Sequence, residues 1–485
     1  MKTSSNLLLA QLLCCLLYAF MPAAFAQAID AFNPSPDTPP ATLAIQADGK
    51  ILLAGNFLDI GIVPRERIAR FTVDGSLDAT FADPHVDSNI DAIAVQADGK
   101  ILIGGYFSAL GATPRHNLAR LNSDGTVDTT FADPDLNGNV WAIAIQPSDG
   151  KILVAGDFTM AAATSRRGAA RLNTNGTLDT SFADPNFDPD NGYAPVRCIA
   201  LQADGHVLIG GSFSQVGSTS HFYFARFSSS GVFDPTFPAG NEPQVAAIVV
   251  APDGSIFVAD PGAEKILKYS PIGVADPSYV SALADGSSNG MILQPNAKIV
   301  IGGTFENVAG QPHHALARLN ANGSLDTGFG DLQFRFDATN PNGYIYGVAA
   351  QTDGKDVAIG NFLLVNGQAR QFVARVASND TTVNILSGQP SGGSVIVTWT
   401  RAGAGPELAL SPILMHSTDG VHFSADGAMS RIATGWQKSA PYNVNGAPFY
   451  LRASGFTSSG AGNGSLGSIN SPVFVSDRIF ANGFE

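Results

Sequence analysis

A unit of about fifty residues recurs seven times between residues 28 and 378, and self-similarity at that period restricts the chain to a solenoid or a propeller. The clearest copies read AIAVQADGKILIGGYF, then NLARLNSDGTVDTTFADP, from Ala92, and AIAIQPSDGKILVAGDF, then GAARLNTNGTLDTSFADP, from Ala142. Each copy carries four strand signals, in the second unit Ala92 to Gln96, Lys100 to Gly105, Asn117 to Asn122 and Thr126 to Phe131. Asp98-Gly99 and Asp124-Gly125 supply the tight turns, because Asp and Gly tolerate the positive φ that such turns need. Four antiparallel strands per unit is the size of one propeller blade. The first turn marks the copies at Asp48, Asp98, Asp149, Asp204, Asp253 and Asp353, with Asn296 in the sixth.

The ends of the array choose between the two architectures. The seventh copy runs through QTDGKDVAIGNF and QFVARVASND and then lacks a fourth strand. The segment Ala28 to Pro34 resembles Leu77 to Pro84, which ends the first copy. The sequence therefore predicts a closed, seven-bladed, all-β propeller in which Ile29 to Phe32 pairs with the strand containing Phe372 to Val376. Closure removes the open sheet edges that a solenoid would keep.

The flanks set the context. Lys2, the apolar run Leu7 to Phe20 and Ala24-Phe25-Ala26 read as a secretory signal peptide over residues 1–26, cleaved after Ala26. Leu13 before Cys14 argues against lipidation, and no later stretch is apolar enough to span a bilayer. The mature chain keeps only Cys198, expected as a buried free thiol in VRCIAL. A net charge of −14 argues against nucleic acid, which needs a basic patch. These features predict an exported monomer, outside the cell or at its surface, with the periplasm also open.

The propeller is expected over residues 27–380. Beyond it, SVIVTWT from Ser394, the Asp419-Gly420 turn and APFYLRASGF from Ala447 predict a small β-sandwich over 381–457. Residues 458–485 are expected to form a Gly/Ser-rich linker and tail.

The motif Q-x-D-G-K-I-L-I-G-G-x-F followed by A-R-L-N-x-D-G-x-x-D-T-x-F resembles the delta-60 repeat of secreted bacterial proteins. That resemblance implies propeller-like domains and no catalytic activity. The fifth unit, APDGSIFVADPGAEKILKY from Ala251, is more similar to an NHL repeat, itself a propeller blade. The C-terminal segment resembles a fibronectin type III domain through Trp399 and Tyr450-Leu-Arg-Ala.

The chemistry-bearing residues are sparse. The His residues show no zinc spacing and no G-x-S-x-G elbow exists, so no catalytic residue, metal or cofactor is nominated. Calcium at the Asp-Gly turns is disfavoured because the oxygen ligands change from unit to unit while the turn persists. A recurrent Arg on the third strand (Arg70, Arg120, Arg171, Arg226, Arg318, Arg375, with Lys268 in the fifth) and an Asp on the fourth (Asp78, Asp128, Asp179, Asp234, Asp326) predict a structural ion pair.

A second recurrence, Arg65, Arg115, Arg166, His221, His313 and Arg370, sits beside Asp-rich inter-blade loops. Its residues are expected to pin those loops, or else to form a cationic rim that meets an anionic ligand. The long loops Phe187 to Pro195 and Leu332 to Tyr344 add Tyr193, Phe334 and Tyr344 as candidate ligand contacts. The expected function is a non-enzymatic binding or scaffolding module that meets an extracellular glycan or a surface protein. The alternative is a propeller hydrolase or lyase acting on extracellular polysaccharide.

Overall fold

The computed structural model describes residues 27–188, 195–238, 244–340, 342–378, 380–391, 394–408, 410–442, 449–458, 460–461, 466–471 and 473–475. Residues 1–26, expected as a signal peptide, and most of the expected C-terminal tail lie outside these residues. The described chain is all-β, with no helix.

Seven antiparallel three-stranded units are formed by the described residues of the repeat, each in chain order. Their innermost strands are Pro40–Ile45, Asn89–Val95, Val140–Ile145, Val196–Leu201, Ala247–Val250, Ser288–Leu293 and Tyr344–Ala350. Each packs against the next, and Tyr344–Ala350 packs back against Pro40–Ile45, so the units close a ring around a channel. The apolar side chains of neighbouring units interdigitate: Ala44, Leu52 and Ala54 of the first share a core with Ile93, Ile101 and Ile103 of the second. These blades are the repeat of a β-propeller.

The expected fourth strand shrinks to a single bridge in each blade, such as Leu121 to Val127 and Leu172 to Leu178. The Asp that follows the bridge explains this correction. The Asp128 carboxylate accepts the amide and hydroxyl of Thr130 at 3.0 and 2.6 Å, folding the chain into an Asx turn in place of a ladder.

At the ring's seam, Ile29 bridges antiparallel to Val376, the Asp30 amide donates to the Arg375 carbonyl at 3.1 Å, and the Ala377 amide donates to the Ala28 carbonyl at 2.8 Å. The N-terminal segment thus occupies the fourth-strand place of the seventh blade.

The Asp-Gly turns all lie on one face of the ring. The opposite face carries the inter-blade loops and small hairpins such as Ala109–Leu110 with Thr113–Pro114. The C-terminal domain is a sandwich of two sheets. One contains Val383–Ser391, Ser394–Ala402, Gly435–Ala440 and Ser430–Ile432; the other contains Ile413–Ser417, Ser424–Ala428, Tyr450–Ser458 and Leu466–Asn470. Trp399, Trp436, Leu414 and Leu451 fill the space between them.

The sandwich docks on the turn face, where the Glu407 amide donates to the Leu293 carbonyl at 2.8 Å and the Gln294 side chain to the Ala404 carbonyl at 3.0 Å. Residues expected to be a linker instead complete this domain. Gly460–Ala461 pairs with Gly290 of the sixth blade and with Gly347 and Val348 of the seventh, and Leu466 pairs with Ala94 of the second. A stretch of small residues lets backbone reach backbone inside the channel. The sequence signs of a flexible linker and of a closely packed inserted hairpin coincide here.

Candidate ligand-binding site

The two recurrent cation positions resolve first. On the third strands, Arg70 donates through Nε to Asp78 at 2.9 Å, with Lys50 on the same carboxylate at 3.2 Å. The guanidinium stacks over Phe81 at 4.6 Å, and its Nη1 donates to the Ser123 carbonyl of the next blade at 2.5 Å. Burial alone would raise the Asp78 carboxyl, but Thr80, Lys50 and Arg70 together hold it well below the ordinary carboxylate range.

The same pillar recurs as Arg120–Asp128–Phe131, Arg171–Asp179–Phe182, Arg226–Asp234–Phe237 and Arg318–Asp326–Phe329. In the seventh blade the N-terminal segment supplies the acid and the ring: Arg375 donates to Asp30 at 2.6 Å, stacks on Phe32 at 5.0 Å and reaches the Val73 carbonyl of the first blade at 2.6 Å. Lys268 with Asp276 at 3.1 Å is a weaker, more exposed version in the fifth. These groups brace neighbouring blades.

Most side chains of the second recurrence reach backbone carbonyls, several of them the carbonyl of the preceding residue. Arg65 donates to the Pro64 carbonyl at 3.2 Å, Arg115 to Pro114 and Phe131 at 2.9 and 3.1 Å, Arg166 to Ser165 at 3.0 Å, and Arg370 to Ala369 and Asp30 at 2.7 and 2.5 Å. The His221 ring bonds the Phe224 carbonyl at 3.0 Å. Burial pushes both His221 and His313 below the usual imidazole pKa, so neither is a ready cation near neutrality. The nearby aspartates take the amide of the following residue instead: Asp83 accepts from Glu66 at 3.0 Å and Asp331 from His314 at 3.0 Å. Phe334 is fully buried and stacks edge-on against Phe362 at 4.9 Å, while Tyr344 is half-buried and pairs with Asn361. Tyr193 lies outside the described residues.

The residues that do converge were not singled out by the repeat. In six innermost strands the register shifts by one residue near the start, between Pro40 and Thr42, Ile90 and Ala92, Val140 and Ala142, Val196 and Cys198, Ser288 and Gly290, and Ile345 and Gly347. A bulge leaves the extra residue outside the ladder and re-aims its side chain. The glycine opposite the bulge makes it possible: a Cβ on Gly156 would stand 1.8 Å from the Asn139 carbonyl oxygen. In the fifth blade Asp260 replaces that glycine, and the pairing there runs without a register shift.

The bulged residues Ala41, Asp91, Trp141, Arg197, Asn289 and Tyr346, with Ala246 at the same place in the fifth blade, line one cavity of about 480 Å³. It opens on the loop face at the mouth of the channel. Gly460–Ala461 of the inserted hairpin lies one residue below this ring on the sixth and seventh blades.

The mouth is chemically uneven. Arg197 is exposed and lies over the Trp141 ring at 5.0 Å. Among the described residues it has no hydrogen-bond or ion-pair partner. Tyr346 is also exposed. Asp91 accepts from Asn89 at 2.5 Å and from Asn139 at 2.8 Å, and burial, aided by the charge of Asp157, raises its carboxyl above the ordinary range. One cation, two aromatic faces, one acid and amide groups therefore meet at a single opening. That composition suits a polar ligand carrying both ring faces and charge. Among the described residues no group of three or more metal-ligating side chains gathers at one place.

The comparisons with known proteins agree with the architecture. The family described as a domain of unknown function (DUF5122) beta-propeller matches residues 46–81, 96–131, 148–182, 202–237 and 294–329. This chain is a β-propeller repeat protein. The matched spans run from the first turn to the pillar phenylalanine in five blades. They omit the fifth, with its Lys268 pillar, and the seventh, whose fourth-strand place is filled from the other end of the chain.

No curated protein matches the sequence. Among solved structures, the chain is similar to a streptogramin B lyase at 15% identity, covering 74% of this chain and 99% of that one with a TM-score of 0.45. A virginiamycin B lyase from Staphylococcus aureus shows 12% identity over 73% of this chain and 98% of that one, at 0.43. A calcium-binding regucalcin from Agrobacterium tumefaciens shows 14% identity over 60% and 89%, at 0.36. Likenesses this distant bear on no residue of the mouth.

Proposed function

We propose that this chain is a binding module, working outside the cytoplasm and without catalysis, whose ligand enters the loop-face mouth of the channel. One observation carries the reading. The pillar keeps its chemistry from blade to blade, whereas the bulged position differs around the ring: Ala41, Asp91, Trp141, Arg197, Ala246, Asn289 and Tyr346. A position that only had to hold the ring would repeat with the ring. Variation at the residues that face one cavity is what recognition requires of a symmetric scaffold.

The test is a glycan and small-molecule binding screen on the protein, on the Trp141→Ala/Tyr346→Ala double variant and on an Arg65→Ala/Arg115→Ala double variant. Ligands of the mouth are lost in the first variant and retained in the second. Retention of every captured ligand in the first variant refutes the reading.

A second reading, an enzyme acting on extracellular polysaccharide, rests on Asp91. Its raised carboxyl, with Asp157 coupled to it, is the kind of group that holds a proton for acid catalysis. The discriminating variant is Asp91→Asn. Under the binding reading it changes affinity and no product forms with either protein. Product release by the wild-type chain that Asp91→Asn abolishes would establish the enzyme.

A further inference from the structure

We propose that the ligand of the mouth is a short acidic oligosaccharide, with one carboxylate seated on Arg197 and a sugar ring lying against Tyr346. This rests on the mouth being the binding site, and it names the class of molecule that fits there.

Charge is the first argument. The chain carries −14 overall, yet its mouth presents an exposed guanidinium without an acidic partner among the described residues. Elsewhere the recurrent arginines bond to protein acceptors, to aspartates in the pillars and to backbone carbonyls at the second recurrent position. Arg197 instead lies over the Trp141 ring, 5.0 Å from its centroid, with no protein acceptor for its N–H groups among the described residues. A planar fork of this kind matches a carboxylate with two parallel hydrogen bonds. A single such cation in a strongly acidic molecule suits sparse charge, about one carboxylate per ligand. It opposes densely charged chains such as nucleic acids, which need a basic surface.

Shape and polarity supply the second argument. Tyr346 offers an exposed aromatic face across the ring from the Trp141–Arg197 stack. Asn289 and Ser287 bring amide and hydroxyl groups to the same wall, and Asp91 brings a carboxyl. Pyranose rings have an apolar face for an aromatic ring and a rim of hydroxyls for such groups. A volume of about 480 Å³ lies within the range of sites that hold a drug-sized ligand, which matches a short saccharide.

The experiment is titration calorimetry of the whole protein with a trisaccharide that carries a single uronate, glucuronosyl-xylobiose, its methyl ester and free glucuronate. The ester keeps the shape and removes the charge. The expected result is binding of the acid trimer, with the ester and the monomer each at least tenfold weaker. Arg197→Gln should weaken the acid about tenfold and make acid and ester equal. Tyr346→Ala should weaken both alike.

Equal affinity of acid and ester, or an acid-to-ester ratio unchanged in Arg197→Gln, overturns the acidic class. Equal affinity of monomer and trimer overturns the oligosaccharide and leaves a small carboxylate. Failure of all three probes at millimolar concentration also overturns the proposal, while the broader mouth reading is then judged by the screen above. If the trimer binds and neither variant changes its affinity, both readings fall. Circular dichroism and melting curves of each variant establish that lost binding is not lost folding.

Discussion

The outer pillars and the channel mouth are built from the same repeat and obey opposite rules. In the pillars an Arg, an Asp and a Phe return with nearly constant geometry, Nε to carboxylate at 2.9, 2.8, 2.7 and 2.7 Å in blades one, two, three and six. At the mouth the backbone bulge and its glycine return, but the side chain does not. Constancy marks what holds the ring together; variation in a constant frame marks what the ring is for. The comparison also yields an odd residue. Asp356 stands where the other blades place Ile51, Ile101, Ile152, Val207, Ile256 and Ile299. It is fully buried with neither carboxylate oxygen hydrogen-bonded.

The strongest way to break the comparison is at the seam. If the pillars carry stability, deleting residues 27–33 should cost more than any single substitution. It removes Asp30 and Phe32, strands the buried Arg375 charge and opens the edge of Val373–Ala377. An orphaned buried charge alone costs about 3–5 kcal/mol. Thermal melting should show a drop of many degrees. A melting temperature within a degree or two of wild type would mean that the seam contributes nothing.

Within the ring, Arg120→Ala should destabilise more than Lys268→Ala. Arg120 loses a shielded carboxylate partner, a ring stack and the carbonyl of Thr174, whereas the Lys268 pair is about a quarter exposed. The exposed pair is worth about 1 kcal/mol or less. Urea denaturation of the two variants in parallel measures the gap; equal losses would show that burial does not set the pillar's worth.

The carboxylates predict the pH profile. The pillar acids Asp78, Asp128 and Asp179 have folded pKa values held below their unfolded ones, so their stabilisation is complete above about pH 4 and disappears as pH falls further. Asp356 has the opposite sign. Burial lifts it to about 8, so the folded state keeps a proton that the unfolded chain releases from about pH 4. Stability should therefore decline as pH rises from about 4 to about 8, beyond which the cost is complete. Asp356→Ile, which restores the residue type of the other blades, should raise stability by about 1–3 kcal/mol at neutral pH, the usual cost of an unsatisfied buried polar group. Its stability curve should be flatter over that window. An Ile variant less stable than wild type at pH 8 would reveal a partner for Asp356 and a function for the exception.

How much of this was legible in the sequence follows from the same contrast. The blade unit, its turns and the Arg–Asp pairing are readable because each is stated several times over, so chance resemblance cancels. The N-terminal segment is readable because Asp30 and Phe32 repeat the spacing logic of Asp78 and Phe81, shortened by one residue. The mouth hid for the complementary reason. A scan for recurrence passes over Asp91, Trp141, Arg197 and Tyr346 because they do not recur. A usable signal was present all the same, since each lies fourteen or fifteen residues before the bulge glycine, Gly105, Gly156, Gly211 and Gly360. The cationic position drew attention for being shared, and its residues satisfy backbone carbonyls. Gly460–Ala461 and Leu466–Asn470 hid because small residues describe a loose linker and a tightly inserted strand equally well.

The smallest expected effect is the sharpest test of the division between frame and site. Arg197→Ala and Tyr346→Ala remove exposed side chains, Arg197 with a single stack on Trp141 of the neighbouring blade, so each should shift stability by no more than about 1 kcal/mol, the worth of an exposed cation–aromatic contact. The bulge beneath them is fixed by backbone and by the opposing glycines Gly211 and Gly360, whose Cβ atoms would meet backbone oxygens at 2.3 and 1.9 Å. Gly211→Ala and Gly360→Ala should consequently destabilise, or force the bulge out, while altering no residue of the mouth itself. Paired urea curves read this directly. Two glycine variants that unfold early, beside two mouth variants that unfold close to wild type, are the expected pattern. If Arg197→Ala or Tyr346→Ala instead loses 2 kcal/mol or more, the range associated with buried-network or core loss, the mouth is part of the frame and its variation must serve packing between blades.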